Sequence, residues 1–388
     1  MIRLPRVDVP RVDYGPEEAA MRSYRNEGTE RAAALGNRGP LRFDAEGNLD
    51  PAILEAYSTH GFYVFEGVLG RDELDDLEHD LIEMLDRAPV NKGATVDRHG
   101  RKALGVGCKA VNLSWVRPLS DPLGGTAFAN GRHPVKMVEP KAPEGAPDHV
   151  VQLILGSLQF SDACLRVYGH PGLLRVAAAV NGDDFTPFNE AVWVKHPRLG
   201  GSVAWHQDGW THWDSPELDH GTHGFNFMAQ LYGCNAANGL WVVPGSHRLG
   251  KVDIKAWVAA AGSERLPDAV PLVCAPGDVA ITNRQAVHGS FANTSDDPRV
   301  TINFGFHRRA SVLGVRSGGI HNPVSEYDEA YIRQRSRLIG LAIDARRQRF
   351  PDEQPYVYQP FVGFEHAYRW TPEAKAGLRD YNLQDLGI

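Results

Sequence analysis

Between residues 185 and 308 the chain divides into short apolar or alternating runs, each closed by Gly, Pro or Asn. The runs are 190–195, 202–207, 225–233, 239–243, 270–274, 278–282, 286–291 and 299–307. Strands this short and this evenly spaced bury their apolar faces best as two facing sheets, a jelly roll. One helix, 251–261, interrupts them.

Helical patterns surround this block. One helix starts at Asp50-Pro51, where Asp caps the first turn and Pro fits it, and stops at Gly61. Phe62-Tyr63-Val64-Phe65 is strand-like. A helix over 71–87 sets Leu74, Leu77, Leu81 and Leu85 on one face and acids on the other. Helices are also expected near 17–34, within 150–181 and over about 326–348. Residues 88–148 show Gly, Pro and basic residues without a sustained period, which predicts a long loop. The expected fold is mainly β with flanking helices, a single domain over 1–388. Its parts are an N-terminal arm (1–49), a helical segment (50–184) with the insert 88–148, the β core (185–308) and a helical C-terminal extension (309–388).

Composition narrows the partners. The net charge is −7 and no block of basic residues stands out, which argues against nucleic acid. No stretch approaches the roughly 20 apolar residues of a membrane helix, and the N-terminal residues lack the apolar core of an export signal. Cys108, Cys164, Cys234 and Cys274 are scattered without a CxxC pair, so we expect reduced, packed thiols and a cytoplasmic protein.

The chemistry concentrates at Ala204-Trp205-His206-Gln207-Asp208-Gly209. Residues i and i+2 of a strand point the same way, so His206 and Asp208 can present an imidazole and a carboxylate to one ion. His288, at the end of another alternating run, supplies a third donor. Two His and one carboxylate fill one face of iron(II) and leave open positions for a chelating 2-oxo acid and O2. The run Arg299–Phe306 alternates strictly: Val300, Ile302, Phe304 and Phe306 face one way, and Arg299, Thr301 and Asn303 the other. An Arg on that polar face can fork onto a carboxylate. With sixteen histidines in the chain, HxD alone would be weak; HxD joined to His-x10-Arg on paired strands is specific.

These residues resemble the phytanoyl-CoA dioxygenase superfamily. The shared features are Trp205-His206-Gln207-Asp208, Asn238-Gly239-Leu240-Trp241-Val242-Val243-Pro244-Gly245-Ser246-His247, Pro276-Gly277-Asp278-Val279, His288-Gly289-Ser290 and Arg299. The stretch Ile53–Leu85 is similar to the family as well; 88–148 and the chain beyond 320 are not. The resemblance implies a double-stranded β-helix of cupin-like form. It implies iron on His206, Asp208 and His288, and the distal carboxylate of 2-oxoglutarate on Arg299 with help from Ser290. Because position 208 is Asp, it implies oxidation by O2, most simply hydroxylation, rather than chlorination. Where members often carry an aromatic residue beside the cosubstrate, this chain has Phe227-Met228-Ala229-Gln230.

Other residues are weaker candidates. Lys195, ending a strand beside the iron strand, could help hold a carboxylate, and Asn303 could line the same pocket. Trp210, His212 and Asp214, in a segment 209–224 crowded with Trp, His and Asp, are candidate substrate contacts. The expected partner is a small-molecule substrate. The aromatic tail could pack on the core or form a homodimer interface. Two rivals stand beside this reading: a cupin-like metal dioxygenase that does not use 2-oxoglutarate, and a non-catalytic, metal-stabilised binding protein.

Overall fold

The computed structural model describes residues 8–208, 224–318 and 322–386. Twelve strands form its two main sheets: β1 (Arg38–Pro40), β2 (Phe62–Glu66), β3 (Leu113–Val116), β4 (Val150–Leu155), β5 (Thr186–Lys195), β6 (Val203–His206), β7 (Gly224–Gln230), β8 (Trp241–Val242), β9 (Val270–Pro271), β10 (Val279–Asn283), β11 (His288–Ser290) and β12 (Arg299–His307). The large sheet runs β1-β2-β10-β7-β12-β5-β4-β3, and the small one β6-β11-β8-β9. The non-sequential order is that of a jelly roll.

The helices are α1 (Glu18–Ala34), α2 (Pro51–His60), α3 (Arg71–Asp86), α4 (Asp162–Tyr168), α5 (Pro171–Asn181), α6 (Ile254–Ala261) and α7 (Glu329–Arg349). Asp50 caps α2 through Ala52 N, and Gly61 closes it in the left-handed conformation. No helix among the described residues is long and apolar enough to cross a membrane.

Strand alternation divides the large sheet into two chemically different faces. Val192, Val194, Phe225, Phe227, Ala229, Val279, Ile281, Val300, Ile302, Phe304 and Phe306 pack with α3, α4, α5 and α7 in one apolar cluster. The opposite parity, including Lys195, Asn226, Arg299 and Thr301, turns toward the small sheet. Lys195 Nζ donates across the gap to Ser290 Oγ of β11 at 2.8 Å. The small sheet is backed by α1, where Gly28 lies so close to Trp241 that an added Cβ would fall 2.5 Å from its ring.

Two regions differ from the sequence reading. Val150–Leu155, expected within a helical stretch, is a strand that pairs with β5. Its run of Val, Val, Leu, Ile and Leu is apolar on both faces, and such a run carries no period to separate strand from helix. The insert is not all loop either: Leu113–Val116 forms the edge strand of the large sheet. In the tail, Tyr358 and Phe361 are buried, while Phe364 is exposed.

Candidate metal centre

The small sheet brings the donors together by register. His206 on β6 lies directly opposite His288 on β11. Gly289 sits between His288 and Ser290, where a Cβ would press on Trp205 and Val203 O at 3.0 Å. Trp205 points away from the site and donates to Glu264 O at 2.7 Å. Gln207 likewise turns back: its amide donates to Gln285 O and Gly250 O and accepts from Val252 N. Asp208 leaves the strand but is held by its own N–H on Arg284 O at 2.8 Å.

The side chains then converge. One ligating atom from each of His206, Asp208 and His288 lies within 4.8 Å of the others, and all three residues are buried. His206 Nε2 is 3.7 Å from Asp208 Oδ1, and His288 Nε2 is 3.9 Å from Oδ2. Each imidazole has its Nδ1 on a backbone carbonyl, Ala204 O at 2.8 Å and Ala286 O at 2.9 Å. Those contacts fix a tautomer with Nδ1–H donating and the Nε2 lone pair facing inward. Burial, then the neighbouring ring of His288, holds His206 well below the usual imidazole range. Burial would raise the Asp208 carboxyl, but the Arg132 and Arg284 guanidiniums outweigh it and hold it ionised. Two neutral imidazoles and one carboxylate fit a divalent ion with open positions.

A second group lies where β5 and β12 pair, with Arg299 opposite Lys195. Lys195 is fully buried; its ammonium donates to Ser290 Oγ and, at 2.5 Å, to Phe291 O. Arg299 is 4% exposed. Its Nε donates to Thr301 Oγ1 at 2.9 Å, which in turn donates to Gln230 Oε1, and its Nη1 reaches Asn238 O at 3.5 Å. The Asn238-Gly239 turn thus backs the guanidinium. Neither cation makes an ion pair among the described residues. Burial and the charge of Arg299 push the Lys195 ammonium well below the ordinary lysine range. Asn303, on the same face as Arg299, is only partly buried. Trp210, His212 and Asp214 lie outside the described residues.

Sequence reasoning missed three neighbours of Asp208. Asn226 Nδ2 donates to Oδ2 at 3.3 Å, and Arg284 Nε lies 3.9 Å from the same oxygen. Arg132, from the insert, reaches Oδ1 at 3.1 Å, and the adjacent His133 ring lies 4.4 Å from the His206 ring. The insert has no periodicity, so its only signal was an Arg-His pair between Gly131 and Pro134.

Two imidazoles and a carboxylate converge between the jelly-roll sheets, beside two buried cations, a donor set that fits a divalent metal ion. The chain belongs to the phytanoyl-CoA dioxygenase family, whose model, Phytanoyl-CoA dioxygenase (PhyH), matches residues 57–301, more than half of it. No curated protein matches by sequence. Among solved structures, EvdMO1 is similar at 22% identity, with 66% of this chain and 50% of that chain covered and a TM-score of 0.44. The chain thus spans half the length of EvdMO1. AviO1 from Streptomyces viridochromogenes Tue57 matches at 22% identity over 67% of this chain and 95% of its own, TM-score 0.46. EctD from S. alaskensis, solved with 2-oxoglutarate and 5-hydroxyectoine, matches at 18% identity over 70% of this chain and 81% of its own, TM-score 0.47.

Proposed function

We propose that His206, Asp208 and His288 hold iron(II), that Arg299 with Lys195 and Ser290 takes the distal carboxylate of 2-oxoglutarate, and that the protein hydroxylates an unactivated C–H bond of a small molecule. One observation carries the reading: two imidazole Nε2 atoms and a carboxylate converge in a buried site, each imidazole oriented by a backbone carbonyl. When bound, the iron and 2-oxoglutarate supply the oxidising power, with O2 consumed and 2-oxoglutarate decarboxylated to succinate and CO2.

The chain's own residues bind, orient and exclude water. Ala204 O and Ala286 O aim the imidazoles, and Asn226 steadies the carboxylate. Arg299 offers a two-pronged donor to a carboxylate, which satisfies a guanidinium whose burial would otherwise be costly. Asn303 stands at the same wall. Trp210, His212 and Asp214 remain the substrate-side candidates of the segment that follows Asp208. Desaturation, cyclisation or epimerisation would draw on the same binding residues. The buried, unbridged thiols of Cys164, Cys234 and Cys274 are in keeping with a cytoplasmic setting.

The test is an anaerobic titration of iron(II) and 2-oxoglutarate into metal-free protein, following the weak visible charge-transfer band of the chelate. Wild type should develop the band, H206A should not, and R299A should need far more 2-oxoglutarate. Iron binding without a band would favour a dioxygenase that does not use 2-oxoglutarate. Absence of iron binding would remove the site assignment altogether.

A further inference from the structure

The insert reaches the metal centre from a hydrogen-bonded, packed base. Asp121 closes its base: its carboxylate accepts from Leu123 N, Gly124 N and Met137 N at 3.2, 3.0 and 2.9 Å. Gly125 N donates to His133 O at 2.9 Å and Arg132 N to Ala129 O at 3.1 Å, folding the tip back on itself. Leu119 and Met137 are buried in the same apolar cluster as Ala204, Trp205 and Val287, directly behind the metal strands. Arg132 and His133 are therefore carried by a packed wall.

Arg132 is under-used in that position. Among the described residues its one ion pair is with Asp208 Oδ1, and its Nε is buried without a hydrogen-bond partner. His133 Nδ1 and Asn226 Oδ1, both also beside the metal ligands, are buried and have no partner among the described residues. A guanidinium has five donors, and leaving even one of them buried and unmet is costly. Its one described side-chain partner is the carboxylate that a metal would claim, and Asp208 already has Asn226 and Arg284 on its other oxygen. A divalent ion arriving there adds positive charge beside Arg132 and takes up its counter-charge. The guanidinium then needs a new anion.

We propose that Arg132 determines substrate choice: with Asp208 committed to the metal, it binds an oxyanionic group, a carboxylate or phosphate, on the substrate. Arg132 Nε and, as its N–H tautomer, His133 Nδ1 are the spare donors beside that anion, while Asn226 Oδ1 can only accept from a donor on the molecule. This rests on the iron and 2-oxoglutarate reading above and names the substrate class for it.

The experiment first records the chelate band of wild type, R132A, R132Q and R132K with iron(II) and 2-oxoglutarate, without O2. It then measures 2-oxoglutarate consumption with a panel of small carboxylic acids, phosphate monoesters and their neutral amides and alcohols. All four proteins should form the band. In wild type a charged compound should stimulate consumption and its neutral counterpart should not; which charged class works separates carboxylate from phosphate. R132A and R132Q should lose roughly 10–100-fold in kcat/KM for that compound, mostly through KM, with partial recovery in R132K. Calorimetry of the same compound into zinc(II)-substituted, 2-oxoglutarate-loaded protein should show the same loss without turnover. Stimulation by no charged compound, equal stimulation by neutral ones, or an unchanged KM in R132A would overturn the proposal. Loss of the band in all three variants would also overturn it, because Arg132 would then serve Asp208 instead. No band in wild type would sink the iron reading itself.

Discussion

Strand β5 carries buried charge on both sides of the large sheet, and the two sides handle it differently. Glu190 points toward the helices, where burial raises its carboxyl, opposed by Ser157 Oγ and Tyr381 OH, which donate to it, and by the charge of Arg335 of α7. Arg335 itself pairs with Asp385 at 2.7 Å. Five residues along, Lys195 points toward the small sheet, opposite Arg299, with no carboxylate paired to either among the described residues. On the helix side the charges answer one another. On the inner side no described carboxylate answers them. Structural charge is closed; ligand-binding charge is left open, at a cost of several kcal/mol per unpaired buried ion.

The largest difference should come from removing the helix-side cation. R335M strands Glu190 and Asp385 in an apolar setting, and breaking a buried pair costs about 3–5 kcal/mol. Urea denaturation should show that loss, while 2-oxoglutarate affinity in the folded protein stays at the wild-type value. An equal loss of affinity would mean that the two faces are coupled through β5.

R299A should do the reverse. It removes charged hydrogen bonds to the cosubstrate, worth about 1.5–3 kcal/mol, or roughly 10–100-fold in 2-oxoglutarate affinity. Stability of the ligand-free protein should not fall, because no ion pair is broken. R299K should recover only part of the affinity, since an ammonium cannot fork onto a carboxylate.

K195M refines the contrast at smaller size. Replacing an unpaired buried ammonium by an apolar side chain of similar length should raise the stability of the ligand-free protein by about 1 kcal/mol. It should weaken 2-oxoglutarate binding at the same time. A destabilised K195M would show that the contacts to Ser290 and Phe291 O are structural, and that Lys195 belongs with the closed charges.

The sequence revealed the inner face better than its surroundings. Strict alternation over 299–307 separated Arg299, Thr301 and Asn303 from the helix-facing apolar residues, because a half-buried strand must alternate. HxD and the later His were legible as a local pattern, although β6 ends at His206 and Asp208 is brought to the site by its N–H on Arg284 O rather than by strand parity. Val150–Leu155 was not, since a strand apolar on both faces has no parity to read. Nor were Arg132, Arg284 and Asn226. Their approach to Asp208 depends on how the insert and β7 pack against β6, which local pattern does not encode. The partnership of Glu190 with Tyr381 and Asp385 was hidden likewise, by nearly 200 residues of intervening chain.

The smallest effect concerns pH on the helix side. Burial, with the nearby Glu190 charge adding and Arg335 opposing, raises the Asp385 carboxyl to about 7. Its unfolded value is near 3.9. Between those values the folded protein holds a proton that the unfolded chain has released, so stability falls as pH rises from about 4 to about 7 and levels off above. D385N removes this titration and should flatten the thermal-midpoint profile across that window. The inner face supplies the control: the 2-oxoglutarate affinity of D385N should follow wild type at each pH. A D385N profile as steep as wild type would assign the slope to other groups and remove Asp385 from the closed set.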